Sequence, residues 1–305
     1  MTSPHDTTAL IWRLTDGKPG HTKQTAALAE ALVRQAGMTV VDIAVQPSRV
    51  WWLRTLRAHF PMRPSAATPR LVIGAGHGTH AALIAAGRAT GAPTVVVMKP
   101  SVPISWFDLA LIPEHDGAGP AANIVTTVGA LSRAPTAPTH DSRRGLIMIG
   151  GPSRHFAWND ADVASEATRL AQTFPSVAWT LTTSRRTPAT FVAAVGSSSN
   201  LSVLPFDQTP PGWLEQQLAA SKFAWVTPDS VSMVYESLTA GCVTGLFTLK
   251  AIASSKVAAS ILALTQTRSV IPGVPMPGDP RLDAPVTPLD EANRCAKVIV
   301  ARFLA

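Results

Sequence analysis

The chain has 305 residues, of which 46% are hydrophobic and 15% charged, a composition typical of folded globular proteins and not of disordered ones. Two cysteines are too few for a disulfide framework or a cysteine zinc site, which indicates a reducing, cytoplasmic environment. The net charge of +7 favours anionic partners: phosphorylated metabolites, anionic lipid surfaces or nucleic acid. Because the N-terminus does not resemble a secretion signal and no apolar run is long enough to span a membrane, we expect a soluble or membrane-peripheral protein.

Strands and helices alternate through the first half of the chain. The hydrophobic pattern predicts strands at residues 9–14, 38–45, 70–74, 94–98, 107–112 and 123–128. It predicts helices at residues 22–35 and 49–60, and an alanine-rich helix between Thr79 and Gly91. Strands that alternate with helices imply a parallel sheet covered on both faces. Residues 1–140 are therefore predicted to form one α/β domain.

A second alternating series follows residues 133–144, which are poor in hydrophobic residues beyond alanine and are predicted to link two domains. Strands are predicted at residues 145–149, 177–182, 201–204, 223–227 and 243–249. Helices are predicted at residues 159–173, from Pro188, at 213–220, and from Asp229 or Ser230 to Gly241. Residues 271–280 are predicted to be a surface loop, and residues 287–290 to cap a last helix with Pro288 at its first position. The second α/β domain is thus placed at residues 141–286, and the last helix at 287–305.

The loop at residues 149–155 follows a predicted strand and reads Ile-Gly-Gly-Pro-Ser-Arg-His. In open α/β sheets, ligands bind at the carboxyl ends of the strands, so this is a place to expect one. Gly150 and Gly151 would let a ligand approach the backbone, and Ser153 and Arg154 are donors that suit phosphate. A tight turn with a solvated arginine has the same sequence and remains the alternative.

The loop after the next strand, at residues 182–187, reads Thr-Thr-Ser-Arg-Arg-Thr. It places the hydroxyls of Thr183 and Ser184 beside the guanidinium groups of Arg185 and Arg186, a combination that could clamp a diphosphate. An exposed basic turn is the alternative interpretation of these residues.

The stretch at residues 223–236 reads as a strand that leads directly into the start of a helix. The first turn of a helix offers free backbone N–H groups and the positive end of the helix dipole to a phosphate. Ser232 and Glu236, four residues apart, share one face, which would let Glu236 accept hydrogen bonds from ribose hydroxyls. A capped helix with Glu236 in solvent is the alternative. Since three loops of one domain favour an oxyanion, the sequence predicts a nucleotide-diphosphate site.

In the first domain, the loop Asp-Gly-Lys-Pro-Gly-His at residues 16–21 directly follows a strand. His21 is a candidate general base, or it caps the helix that follows. The sequence Gly-Ala-Gly-His-Gly at 74–78 lacks the spacing of a dinucleotide fingerprint, so NAD is not expected. The sequence Pro-Glu-His-Asp at 113–116 has no spaced histidine partner, so no metal site is predicted.

The segment at residues 49–60 combines an apolar stripe with arginines and two tryptophans. The stripe comprises Val50, Leu53, Leu56 and Phe60. With Arg54 and Arg57 beside it, this pattern suits a helix resting on an anionic membrane surface. A helix packed on its own sheet carries the same stripe, so both interpretations stay open. Nucleic acid is not expected, since the arginines are scattered and no nucleic-acid motif is present.

The motifs as a set resemble the landmarks of one family, the "elongated mitochondria" (ELM) fission-factor family. They are the residues at 16–21, Leu-Val-Ile-Gly-Ala-Gly at 71–76, the residues at 113–116, Thr-Thr-Val-Gly-Ala-Leu at 126–131, Ile-Gly-Gly-Pro-Ser at 149–153, the residues at 182–187, and Asp-Ser-Val-Ser-Met-Val at 229–234. The match runs in order from about residue 9 to 250. Bacterial members of this family are described as candidate glycosyltransferases, whereas its plant members act in recruiting a fission dynamin to mitochondria.

The resemblance implies a GT-B architecture, in which two Rossmann-like domains face each other across a cleft. In such enzymes the C-terminal domain binds the nucleotide-sugar, the N-terminal domain receives the acceptor, and the last helix commonly crosses back to the first domain. By position, the loop at 150–154 would face the diphosphate, and Ser230, Ser232 and Met233 would supply the helix start. Glu236 would hold the ribose, and His21 would be the candidate base. The sequence Ala-Gly-Cys-Val-Thr-Gly at 240–245 departs from the pattern, because it lacks the Lys-Pro that often follows the equivalent glycine.

The favoured hypothesis is a cytoplasmic glycosyltransferase; whether it is also peripheral at the inner face of the membrane through residues 49–60 stays open. His21 or Asp16 would deprotonate the acceptor hydroxyl, while protein groups would neutralise the departing nucleotide diphosphate without a metal ion or other cofactor. The rival hypothesis is a noncatalytic adaptor with the same fold that binds a membrane or a protein partner. The sugar, the base, the acceptor, the stereochemical outcome and the oligomeric state are not indicated by the sequence.

Overall fold

The computed structural model of the chain describes residues 9–46, 48, 50–62, 67–267 and 269–304. It contains two compact units. Unit 1 comprises the chain up to Arg133 together with the residues from Asp290 onward, and unit 2 comprises Ala134–Leu289. Each unit is built of parallel strands and helices and is described by itself.

Unit 1 begins with six strands that alternate with helices. Its strands are β1 (Leu10–Thr15), β2 (Thr39–Ala44), β3 (Leu71–Ala75), β4 (Thr94–Val97), β5 (Leu109–Pro113) and β6 (Ile124–Thr127). Its helices within this part are α1 (Pro19–Ala36), α2 (Val50–Leu56) and α3 (His80–Thr90), with short 3-10 turns at Ile104–Trp106 and Glu114–Asp116.

The strands of unit 1 form one sheet in the order β2-β1-β3-β4-β5-β6, and each neighbouring pair is parallel. Successive side chains of a strand point to opposite faces. Accordingly, Ile11 packs with Leu28 of α1 in one buried cluster, and its neighbour Trp12 packs with Leu83 of α3 in another. Both faces of the sheet are therefore covered, as expected for a parallel sheet.

Unit 2 repeats the same architecture. Its strands are β7 (Asp141–Met148), β8 (Ala178–Thr182), β9 (Leu201–Leu204), β10 (Ser221–Val226), β11 (Val243–Leu246) and β12 (Ile271–Pro272). Its helices are α4 (Asp160–Thr173), α5 (Ala189–Ala194), α6 (Trp213–Ala220), α7 (Val231–Ala240) and α8 (Lys256–Gln266). The strand order is β12-β11-β10-β7-β8-β9, again parallel throughout, and Ile147 and Trp225 pack with Leu170 of α4 in its core.

The last helix, α9 (Glu291–Ile299), belongs to unit 1, where it packs against α1 and continues into a π-helical turn at Val300–Leu304. Cys295 and Ile299 are buried in the same cluster as Leu28. The buried carboxylate of Glu291 accepts a hydrogen bond of 2.9 Å from the Val128 amide and pairs with Arg294. This helix is thus held by both apolar and charged contacts.

The structure corrects several element boundaries. The predicted linker at residues 133–144 is wrong at its end, because β7 begins at Asp141. Pro188 is the N-cap residue of α5 and not its first helical residue. The last helix begins at Glu291, since Asp290 is the residue whose side chain caps it. Helix α8 was missed, although Ser255 caps it by accepting from the Ala258 amide, a signal that the sequence carries.

Helix α2 is shorter than the predicted segment at residues 49–60, of which Arg49 lies outside the described residues. The helix ends at Leu56, and Ala58 has a positive φ of 48°, which no α-helix contains. Phe60 is therefore buried beyond the helix and does not extend its stripe. None of the helices in the described part of the chain is both long and apolar enough to cross a membrane.

Candidate functional site

Each sheet has one place where the chain reverses the direction in which strands are added. In unit 1 this switch point lies between β1 and β3, and in unit 2 it lies between β7 and β10. Ligands of open α/β sheets bind at such switch points, at the carboxyl ends of the strands. The loops after β1, β3, β7 and β10 are therefore the candidate functional loops, and the predicted site residues lie mainly on them.

In unit 2, the loops after β7 and β10 are joined by hydrogen bonds. The Gly150 amide donates to Oγ1 of Thr227 at 2.7 Å, and the Gly151 amide donates to Oδ2 of Asp229 at 2.9 Å. These two amides therefore already donate to acceptors within the unit. The glycines are required for another reason: a Cβ at Gly150 would lie 2.2 Å from Oδ2 of Asp229.

Arg186 connects the loop after β8 to the same carboxylate. Its Nη2 donates to Oδ2 of Asp229 at 2.8 Å, and its Nη1 donates to the carbonyls of Gly151 and Pro152 at 3.1 and 3.0 Å. Arg186 therefore holds three loops together while its side chain remains 44% exposed. The neighbouring Arg185 is exposed, and both guanidinium groups add positive charge at the edge of the site.

The carboxyl group of Asp229 is fully buried. Burial raises its pKa above the usual value of 3.8, against the opposing effects of the Thr227 hydroxyl, the Arg186 guanidinium and the Gly151 amide. Sequence reasoning treated Asp229 only as a candidate helix cap. Its contacts with Gly151 and Arg186 join residues far apart in the chain, so no local pattern indicated them.

The predicted hydroxyl groups mostly stabilise the loops. Ser153 Oγ accepts from the amides of His155 and Phe156, and Thr183 Oγ1 accepts from the Phe206 amide. Ser184 Oγ donates to the Gly150 carbonyl at 2.6 Å. These side chains shape the edge of the sheet where a ligand would bind, and they bond to the protein itself.

Arg154 lies on the surface of the loop after β7. Its Nε donates to Nε2 of His155 at 3.4 Å, and Nδ1 of His155 lies 2.7 Å from Oγ of Ser255. Arg154 is exposed. Its guanidinium group is therefore held only weakly and could turn toward a phosphate.

The first turn of α7 retains free donors. Ser230 is the N-cap residue, and its side chain makes no capping hydrogen bond. Among the described residues, no acceptor is bonded to the amides of Ser232 and Met233, which point along the helix axis at its positive end. Ser232 is exposed, and Glu236, one turn further, is half-buried. This arrangement places two N–H groups and the exposed Ser232 hydroxyl at the helix start, with the half-buried Glu236 one turn further.

In unit 1, the loop after β1 forms a histidine–carboxylate pair. Nδ1 of His21 lies 2.9 Å from Oδ2 and 3.1 Å from Oδ1 of Asp16, and the Lys18 amide donates to the same carboxylate at 3.2 Å. The Asp16 side chain is buried. Since a carboxylate can only accept, the neutral form of His21 carries its proton on Nδ1 and its lone pair on Nε2. No donor among the described residues bonds to that Nε2.

The loop after β3 holds the His21 ring in place. A Cβ at Gly76, where φ is +76°, would lie 2.0 Å from Cε1 of His21, so the ring lies directly on the glycine. His80, the first residue of α3, is buried next to this site, and burial lowers its pKa to about 4, helped by the charges of His77 and His21 and opposed by Asp16. His80 is therefore neutral at physiological pH.

The predicted acid and imidazole at residues 113–116 form a 3-10 turn. Nε2 of His115 lies 3.8 Å from Oδ1 of Asp116, and Lys99 donates to the Asp116 carbonyl at 2.8 Å. Within the described ranges, no group of three or more histidine, cysteine, aspartate or glutamate side chains could hold a metal ion.

These features define the class of protein. Two Rossmann-like units, each with polar loops at its switch point, constitute the GT-B fold, and solved structures of that fold superpose on nearly the whole chain. The chain belongs to the family described as "Mitochondrial fission ELM1", whose model matches residues 19–303. No curated protein matches the sequence.

The similar structures include sugar epimerases and a glycosyltransferase. S. aureus MnaA, solved with UDP, is 11% identical with a TM-score of 0.54, covering 97% of both chains. The UDP-GlcNAc 2-epimerase from Neisseria meningitidis, bound to UDP-GlcNAc, is 12% identical with a TM-score of 0.53, covering 97% of this chain and 99% of its own. The glycotransferase of kitacinnamycin is 12% identical with a TM-score of 0.50, with the same coverage. At this identity the likeness shows the fold alone.

Proposed function

We propose that this protein is a glycosyltransferase that takes a sugar from a nucleotide-diphosphate donor held by unit 2. The observation that carries the proposal is the coincidence of two features at one place. The switch point between β7 and β10 is also where the first turn of α7 offers the unbonded amides of Ser232 and Met233. Structures with this fold include proteins solved with UDP and with UDP-GlcNAc, which supports a donor of the same chemical class.

In this proposal the diphosphate accepts hydrogen bonds from the first turn of α7 and from the hydroxyl of Ser232. Arg185, Arg186 and Arg154 surround it with positive charge, which stabilises the departing diphosphate without a metal ion. Glu236 accepts from the ribose hydroxyls, one helical turn away from the phosphate. The Gly150 and Gly151 loop contributes through its shape, because its amides already bond to Thr227 and Asp229.

The unit 1 pair supplies the base. Nε2 of His21 takes the proton of the acceptor hydroxyl as its oxygen bonds to the anomeric carbon, and the bond from that carbon to the diphosphate oxygen breaks. The buried Asp16 carboxylate keeps the proton on Nδ1 beforehand and stabilises the imidazolium afterwards. In this proposal Asp16 is the orienting group and His21 is the base. The acceptor hydroxyl is not identified by the chemistry of these groups.

A second candidate function is binding without catalysis. One observation favours it: α2 exposes Leu53 and Leu56 to solvent by 58% and 78%, although apolar helix faces are normally buried. An adaptor would use such a face whether or not a nucleotide binds. Only the glycosyltransferase requires unit 2 to bind a nucleoside diphosphate.

Titration calorimetry with a panel of nucleoside diphosphates tests the donor site. We expect one of them to bind, and we expect Glu236→Ala to weaken that binding by roughly 10- to 100-fold, since hydrogen bonds to a charged group are lost. Glu215→Ala is the matched control, because Glu215 is also half-buried on a helix of unit 2 but lies on α6. If no nucleoside diphosphate of the panel binds, the proposed glycosyltransferase activity is wrong. If Glu236→Ala binds with the same affinity as the unmutated chain, the assigned ribose contact is wrong.

A further inference from the structure

Unit 1 exposes several large apolar side chains on and near α2. We call this group the α2 patch. It comprises Val50, Trp52, Leu53, Leu56, Met62 and Trp106, each between 38% and 78% exposed. The rings of Trp52 and Trp106 meet edge to face with centroids 6.0 Å apart. This contact joins α2 to the distant turn at Ile104–Trp106, so the patch is built by the fold and extends beyond a single helix.

The helix that carries the patch is fixed with this face outward. Its opposite side is buried through Trp51 and Thr55, which are 4% and 6% exposed. Trp51 stacks on Phe60 with centroids 5.5 Å apart, and Thr55 Oγ1 donates to the Ala81 carbonyl at 3.0 Å. Because these contacts fix the rotation of α2, the exposed leucines cannot turn inward to cover themselves.

The charged residues nearest α2 in the sequence are all positive. From residue 43 to residue 107 the sequence contains neither aspartate nor glutamate. The same stretch contains the cations Arg49, Arg54, Arg57, Arg63, Arg70, Arg88 and Lys99. In the structure, the Arg54 guanidinium lies 4.7 Å from the Trp51 ring centroid, and Arg57, one residue beyond α2, is exposed. Exposed tryptophan and leucine next to arginine is the composition of surfaces that bind anionic bilayers.

We propose that the α2 patch docks unit 1 on an anionic lipid bilayer. The leucines enter the boundary between headgroups and acyl chains, the tryptophans lie at the headgroup level, and Arg54 and Arg57 contact lipid phosphates. A second copy of the chain is a poorer occupant, since pairing two such patches would bring like charges together. This docking does not depend on nucleotide binding by unit 2.

Sedimentation with vesicles of phosphatidylcholine alone, or of phosphatidylcholine with phosphatidylglycerol, tests the proposal on the full chain. We expect binding only to the vesicles that contain phosphatidylglycerol. Leu53→Ser with Leu56→Ser should weaken it roughly tenfold or more through lost apolar burial. Arg57→Glu should weaken it roughly 10- to 30-fold and reduce its dependence on salt. Met276→Ser is the matched control, because Met276 is 78% exposed in unit 2, as Leu56 is in unit 1, and this variant should bind like the unmutated chain.

Three results would overturn the proposal. The first is no binding of the unmutated chain to anionic vesicles, and the second is undiminished binding by the double leucine variant. The third is that the unmutated chain does not bind vesicles but forms a concentration-dependent dimer in sedimentation velocity, and that the double leucine variant does not dimerise. This result would assign the patch to self-association. Since the substituted side chains are exposed, thermal unfolding should be unchanged in every variant. Nucleotide titration of the same variants measures the donor site independently, so failure of the membrane proposal can be distinguished from failure of the proposed nucleotide site.

Discussion

Replacing Asp229 with alanine should lower the free energy of unfolding by about 2–4 kcal/mol and abolish nucleotide binding by unit 2. The carboxylate accepts from both the Gly151 amide and Arg186, and its removal leaves the buried amide without a partner. The substitution also removes the bond by which Arg186, in the loop after β8, is connected to the residues before α7. Urea unfolding of the purified chain measures the first effect, and calorimetry measures the second. Asp207→Ala, at an exposed acid in another loop of unit 2, is the control and should change neither.

Replacing Asp229 with asparagine should separate hydrogen bonding from charge. The amide oxygen can still accept from Gly151 and Arg186, so the loss of stability should be about 1 kcal/mol. Removing a negative charge beside the first turn of α7 should make nucleoside diphosphate binding roughly threefold to tenfold tighter. Weaker binding by Asp229→Asn than by the unmutated chain would show that the carboxylate is required at the phosphate and would contradict the assigned arrangement.

The pH dependence of stability gives an independent test of the same group. The pKa of Asp229 is raised in the folded state, so the folded chain keeps a proton that the unfolded chain loses near pH 3.8. Between that pH and the folded pKa the unfolded state binds fewer protons, and raising the pH therefore decreases the free energy of unfolding. Above the folded pKa this contribution is constant. Asp229→Asn should lack the decrease, and identical pH profiles for the two proteins would contradict the burial that raises this pKa.

The fold was predictable because its signals are local. The strand predicted at residues 201–204 is β9 without change, and the helix predicted from residue 159 begins one residue later because Asn159 caps it. The alternation of apolar residues and the capping of helices each involve only a few neighbouring positions, so a single sequence is enough to reveal them. The family likewise follows from a set of short motifs, and the family model confirms it.

The sequence indicated which loops to examine and not the contacts between them. Its pattern pointed to glycines after β7 and arginines after β7 and β8, and Arg186 does contact the loop after β7. The same pattern could not show that Asp229 occupies the Gly151 amide, because 78 positions separate the two residues. Nor could it show which face of α2 is buried, because that depends on where the helix ends and on Ala81 of α3. Contacts between residues that are far apart in the sequence can be identified only from the three-dimensional structure.

Replacing Asp16 with asparagine should reduce the rate of sugar transfer roughly 10²- to 10⁴-fold, about as much as His21→Ala. An asparagine amide can donate to Nδ1 of His21, which moves the proton to Nε2 and removes the lone pair needed for proton abstraction. The affinity of the donor nucleotide should be unchanged, because Asp16 and His21 belong to unit 1. Hydrolysis of nucleotide-sugars built on the nucleoside diphosphate that calorimetry identifies, with water as the acceptor, provides a rate that requires no knowledge of the natural acceptor.

Two further variants are needed to interpret the hydrolysis rate of Asp16→Asn. His59→Ala is the control. It removes an exposed histidine of unit 1 that lies outside the loops after β1 and β3, and it should leave the hydrolysis rate unchanged. Gly76→Ala places a methyl group where the His21 ring lies, at a φ of +76° that costs about 1–2 kcal/mol for a residue with a side chain. It should therefore displace the imidazole and lower the rate without touching either member of the pair. If Asp16→Asn and His21→Ala hydrolyse the donor at the unmutated rate while Glu236→Ala still loses nucleotide affinity, unit 2 binds the donor as assigned and the base must be sought elsewhere in unit 1.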